Sequence, residues 1–121
     1  MSGGFFDYNQ YRVGYIANEI EQLIIKNGKP KRKDDRYSWE DENITYSNYS
    51  SKEIQKFQEA LLALRIAEVY AHRVDWLVSG DDGEETFHFR LENDLKEVKA
   101  KYTQEYFDKL IAMPIEKYFE D

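Results

Sequence analysis

The residues of this chain that could do chemistry are few. Glu68, His72 and Asp75 recur at spacings of 4 and 3, so a helix would present them on one face as a conceivable metal-ligand trio. Glu85-x-x-His88 is half of the Glu-x-x-His pair that builds di-iron sites in helical bundles. The second half is missing, because Glu68 precedes His72 by four residues rather than three. A salt-bridged surface face is the expected role of these groups. The acidic segment Ser79-Gly-Asp-Asp-Gly-Glu-Glu85 lacks the alternate-position ligands of a calcium loop, and it reads as a capped turn between helices. The chain has no cysteine, which removes thiol catalysis, disulfides, cysteine–zinc sites and iron–sulfur clusters together. It also has no Gly-x-Ser-x-Gly elbow and no glycine-rich phosphate loop. The expectation is a protein with no catalytic residue, no metal and no cofactor.

Binding chemistry is better represented. Ten tyrosines, seven phenylalanines and two tryptophans make the chain 16% aromatic. Tyr8, Tyr11 and Tyr15 recur at helical spacing, while Tyr37, Trp39, Tyr46 and Tyr49 crowd one irregular region. Tyrosine offers a large contact area at low entropic cost and is enriched at interfaces. Arg73-Val-Asp75-Trp76 combines residue types that favour binding hot spots, with a buried Arg–Asp pair as its structural role. Lys29-Pro-Lys-Arg-Lys33 with Arg36 is the basic cluster, expected to be a solvated loop.

These groups must be positioned by helices. Asp7 and Gln10 form a capping-box pattern, with Phe6 and Tyr11 as a staple. Val13, Ile16, Ile20 and Leu23 then make a helical stripe as far as Asn27, with Gly28 and Pro30 as stop signals. Residues 28–49 form a loop or a small β-hairpin, with Arg36–Trp39 and Ile44–Ser47 as strands. Ser50 and Glu53 form a second capping box, with Tyr49 and Ile54 as a staple. The helix after it runs to Ser79 and carries two apolar stripes, as a buried central helix does. Asp81 or Asp82 caps a third helix over 82–113, either continuous or broken near Thr103, before a short tail over 114–121. The expected fold is mainly α: three or four helices in a single domain over 1–121, with a long central helix.

Lysines and arginines number 17 against 24 acidic residues, a net charge of −7 that weighs against direct nucleic-acid binding. The charge is polarised. Residues 29–36 carry a net +3 and residues 81–121 a net −6. No apolar run approaches the roughly 20 residues that span a bilayer. The amino terminus lacks the basic-then-apolar order of a signal peptide, so the expected location is the cytoplasm. Two helices of about 30 residues would be about 45 Å long, longer than a globule of this size is wide. Their ends would then need a partner, and a homo-oligomer is expected.

Two stretches, Phe6-Asp-Tyr-Asn-Gln-Tyr-Arg12 and Arg73-Val-Asp-Trp-Leu-Val-Ser-Gly-Asp-Asp-Gly-Glu-Glu-Thr-Phe87, resemble a group of small, mostly uncharacterised bacteriophage and prophage proteins. The likeness implies a setting in a bacterial host. It also implies an accessory protein that binds and inhibits a host factor, one serving antiviral defence. Tyr8, Tyr11, Trp39, Asp81 and Asp82 are the candidate surface for a host protein. The alternative is an oligomeric sponge that sequesters a small nucleotide signal, with Tyr8, Tyr11, Arg12, Arg73 and Trp76 as its ligand site.

Overall fold

In the computed structural model, residues 4–118 are described. They form α1 (Gln10–Lys26), α2 (Ser51–Val78), α3 (Glu84–Lys101), α4 (Gln104–Ala112) and a single turn, α5 (Ile115–Tyr118). The mainly helical expectation holds. The helix α2 packs against α1 and α3, and α4 and α5 fold back onto α1. Ala17, Ile24 and Ile25 of α1, Ile54 and Leu61 of α2, and Tyr102, Phe107, Leu110 and Ile115 beyond α3 form the core. Gly14 and Ala17 let the two long helices approach closely. A Cβ on Gly14 would stand 2.0 Å from Glu68 Oε2.

The first helix begins two residues later than its capping pattern predicts, with Asn9 rather than Asp7 before its first residue. Asp7 and Tyr8 sit in left-handed backbone, at φ 55° and 59°, and Asn9 precedes the helix without a side-chain cap. The reason lies 65 residues away. Gln10, which the capping box needs, donates its side-chain amide to Asp75 Oδ2 at 2.9 Å. The left-handed pair is strained by roughly 1–2 kcal/mol per residue, and the Asp75 contacts hold it. The carboxy-terminal signals act as expected. Gly28 is left-handed at φ 73°, which favours glycine, and its N–H donates to Ser47 O at 2.6 Å.

The expected hairpin does not form. Residues 28–31 pair with 44–47 instead, through an isolated bridge between Pro30 and Thr45. Lys31 N donates to Ile44 O and Tyr46 N to Lys29 O, and Pro30 has no N–H to extend the ladder. The segment 36–39, read as a strand, turns at Tyr37–Glu40, where Glu40 N donates to Tyr37 O at 3.0 Å.

At the start of α2, the Ser50 hydroxyl engages the Glu53 carboxylate rather than a helix amide. Tyr49 meets Phe57 edge to face at 5.4 Å, and lines one hollow with Ile54. The third helical stretch is broken. Tyr102 leaves helical geometry, and Thr103 Oγ1 accepts Tyr106 N at 3.4 Å to cap α4. Gly83, not Asp81 or Asp82, precedes α3. The break folds Phe107 and Leu110 back into the core, which weakens the length argument for an oligomer.

Candidate interaction surface

The amino-terminal end of α1 and the carboxy-terminal half of α2 meet through Asp75, whose residue is 0% exposed. Its carboxylate accepts Phe5 N at 2.7 Å, Gly4 N at 3.1 Å and the Gln10 amide, with Ser79 Oγ at 3.4 Å. Burial pushes the carboxyl's pKa up, but the backbone amides and Gln10 outweigh it and hold the pKa below the ordinary value. Of the expected salt-bridged face of Glu68, His72 and Asp75, Glu68 does pair with Arg65, whereas Asp75 is buried and has no ion-pair partner among the described residues. Asp75 is consumed by the amino-terminal segment. Among the described residues, no three His, Asp or Glu side chains are grouped to hold a metal.

The Asp75 latch places Tyr8 and Tyr11 side by side, with ring centroids 6.2 Å apart and planes 20° from parallel. Tyr11 is 58% exposed and Tyr15, one turn on, 66%. Beneath Tyr11 is a crevice of about 210 Å³, lined also by Gln10, Glu68, Val69, His72 and Asp94. Two of these groups are carboxylates. A third, Gln10 Oε1, is buried and has no hydrogen-bond partner among the described residues. The crevice wall is therefore rich in acceptors. Burying a polar group unpaired costs about 1–3 kcal/mol, and Gln10 lies between this crevice and the hollow under Phe5 and Phe6.

Arg73 does not pair with Asp75, as expected from the local sequence. It reaches across to α3, with Nε 2.6 Å from Asp94 Oδ2 and Nη1 3.6 Å from Asp82 Oδ2. Asp82, its side chain fully buried, also takes Arg90 Nη1 at 2.6 Å. This ion network joins the α2–α3 turn to the crevice and leaves Asp82 beneath the surface. Arg73 also lies 5.7 Å from the Trp76 ring centre. A second network supports the other side of the crevice. Arg65 pairs with Glu68 at 3.2 Å and lies 3.8 Å from Glu21, and Glu21 in turn accepts the Tyr106 hydroxyl.

The sequence-predicted residues separate into groups. Tyr8 and Tyr11 lie at the amino-terminal end of α1, the end to which Asp75 ties the α2–α3 turn carrying Asp81 and Asp82. Trp39 lies in the loop that follows the opposite end of α1. It is 78% exposed and stacked on Tyr37 at 4.6 Å. Of the five residues of the alternative ligand site, Tyr11 lines the crevice, and Arg73 is engaged by Asp82 and Asp94. Arg12 follows Tyr11 by one position and projects from a different side of α1. The basic loop is partly tied down. Lys29 Nζ donates to Met113 O at 2.5 Å, with burial lowering its pKa, and Lys31 pairs with Glu40 at 3.3 Å.

Sequence reasoning missed Gln10 and Asp94 as crevice residues. The period of α2 places Glu68 and His72 inward, but nothing local in the sequence indicates that Asp94 on α3 meets them. No helix among the described residues is long and apolar enough to cross a membrane. Comparison with protein-family models, with curated proteins and with solved structures gives no match.

Proposed function

We propose that this chain is a non-enzymatic binding protein of phage type, which occupies a basic surface on a host protein and so inhibits it. The observation that carries this reading is the acceptor-lined crevice under the exposed tyrosines. Gln10, Glu68 and Asp94 line it, and the carboxylate oxygens of Glu68 and Asp94 that Arg65 and Arg73 leave free are acceptors for one arginine or lysine side chain, to which Tyr11 offers a π-face. Tyr8 and Tyr15 extend the aromatic contact on either side. The acidic balance of residues 81–121 adds longer-range attraction for a basic partner. A nucleic-acid-binding site on a host defence protein has that character, and occupying it needs no catalytic step.

The reading is tested by titrating an arginine-rich peptide into the chain at low salt and following intrinsic fluorescence. Binding with Kd on the order of micromolar is expected, weakening as salt rises. The triple variant Tyr8→Ser, Tyr11→Ser, Tyr15→Ser should lose most of it. Equal affinity in the variant would rule out this surface.

A further inference from the structure

The inward stripe of α2 carries one polar residue where the helical period asks for an apolar one. Ile54, Gln58 and Leu61 recur at spacings of 4 and 3, and all three are buried. Ile54 and Leu61 join the core. Gln58 is only 7% exposed, and its carboxamide makes no hydrogen bond to any described residue. Unlike Gln10 Oε1, its polar atoms are not sealed off. They border a hollow of about 480 Å³ between the amino-terminal half of α2, the end of α1 and α4. Ile24, Ile54 and Ile111 give that hollow apolar walls, and none of its lining residues is charged, in a chain that is 34% charged.

The amides at the hollow differ in what they already hold. Asn27 is consumed. Its side-chain amide donates to Tyr49 O at 3.1 Å and its Oδ1 accepts Tyr49 N at 2.7 Å, which fixes the half-exposed Tyr49 beside the opening. Gln104 donates its amide to Asp108 at 2.9 Å. Gln55 and Gln58 remain, and neither carboxamide has a hydrogen-bond partner among the described residues. They lie three residues apart on α2, so their side chains start about 5–6 Å from each other. The same pair also borders a smaller hollow of about 190 Å³, which includes Glu59 and runs toward Tyr102 and Phe107. Only the larger hollow falls in the range of roughly 300–1,000 Å³ that small-molecule sites occupy.

We propose that this hollow binds an adenine base, free or as its uncharged nucleoside, between Gln55 and Gln58. A carboxamide pairs with adenine through two hydrogen bonds, donating to N7 and accepting from the 6-amino group. That amino group has a second hydrogen, on the side of the ring acceptor N1. Adenine therefore presents a donor beside an acceptor on both sides of one amino group, one side for each free carboxamide. In guanine the N7 edge carries two acceptors. Cytosine's amino group has a ring acceptor on one side only. The isoleucine walls and Tyr49 supply contact area for a flat ring. No lining side chain carries the positive charge that a phosphate needs, so the ligand is a base or nucleoside rather than a nucleotide. The site lies at the carboxy-terminal end of α1, and the tyrosine crevice at its amino-terminal end, so the inference does not rest on the proposed function.

Titrating adenosine into the isotope-labelled full chain tests it, read by NMR on the glutamine side-chain amides. Adenosine should shift the Gln55 and Gln58 side-chain resonances, with Kd on the order of 100 μM. Purine riboside, which lacks the 6-amino group, should bind about tenfold more weakly or worse. AMP should bind no more tightly than adenosine. Gln58→Leu should weaken adenosine binding by about tenfold or more. It should leave Tm unchanged or raised, because the buried amide it removes has no internal partner. No shift at either glutamine with about 2 mM adenosine would overturn the proposal. So would purine riboside binding as well as adenosine, AMP binding more tightly, or a Gln58→Leu variant of full affinity. A clearly lower Tm in that variant would overturn it too, by showing that the amide serves the fold.

Discussion

Asp75 Oδ1 accepts the backbone N–H of Phe5 at 2.7 Å across seventy residues of chain. This contact fixes where α1 begins, because the same carboxylate draws Gln10 away from the helix cap. It also fixes where the tyrosine pair and the acceptor-lined crevice stand. The latch therefore links the fold to the proposed binding surface.

Asp75→Asn should open the latch. The new amide group would point N–H donors toward the donors of Gly4, Phe5 and Gln10. The expected result is faster hydrogen exchange at the Phe5 amide and a lower Tm, with α2 intact. Unchanged exchange at Phe5 would show that other contacts hold the segment.

Acid should open the same latch in the wild type. The Asp75 pKa is depressed in the folded chain. Its contribution is therefore complete above the unfolded-state value of about 3.9, and it is lost as pH falls through the lower folded value. Limited proteolysis with an acid-active protease should show cleavage near residues 4–8 appearing only below about pH 4. The Asp75→Asn variant should lack that step. Identical pH profiles for the two proteins would contradict the assignment.

Arg73 carries the join between α2 and α3. Arg73→Ala strands the buried Asp82 with only the half-exposed Arg90, and frees Asp94. A destabilisation of about 2–3 kcal/mol is expected, below the full cost of breaking a buried pair because Arg90 remains. Asp82→Ala leaves Arg73 its Asp94 contact and should cost less. A double-mutant cycle by urea unfolding measures the coupling. A coupling near zero would mean that the turn is held by its backbone bonds alone.

Thr103→Ala removes the cap of α4, at a cost of about 0.5–1 kcal/mol given the 3.4 Å contact. The loss should appear as faster exchange at the Tyr106 amide, with α1 and α2 unaffected. Equal protection in both proteins would place the break under tertiary control instead.

The helices were legible wherever periodicity and stop signals agree. The stripes of α1 and α2, the left-handed Gly28 and Gly80 that follow them at φ 73° and 83°, and the Thr103 break all follow local rules. What was not legible depends on partners far along the chain. Asp7 and Gln10 satisfy a capping box locally, but the chain adopts a strained left-handed pair at Asp7 and Tyr8 because Asp75 offers better contacts. The alternation over 36–39 resembles a strand, yet 28–31 is the segment that pairs with 44–47. The crevice shows the same limit. Tyr11 announces itself by spacing, while Asp94 joins it only once α3 has packed on α2.

The most direct test of the binding account is a paired capture from a bacterial lysate, read by quantitative mass spectrometry. The baits are the wild-type chain and the Tyr8→Ser, Tyr11→Ser, Tyr15→Ser variant, each first shown to have the same Tm. The account predicts a basic, nucleic-acid-binding protein enriched on the wild type and lost from the variant. The same proteins at the same abundance on both baits would contradict it.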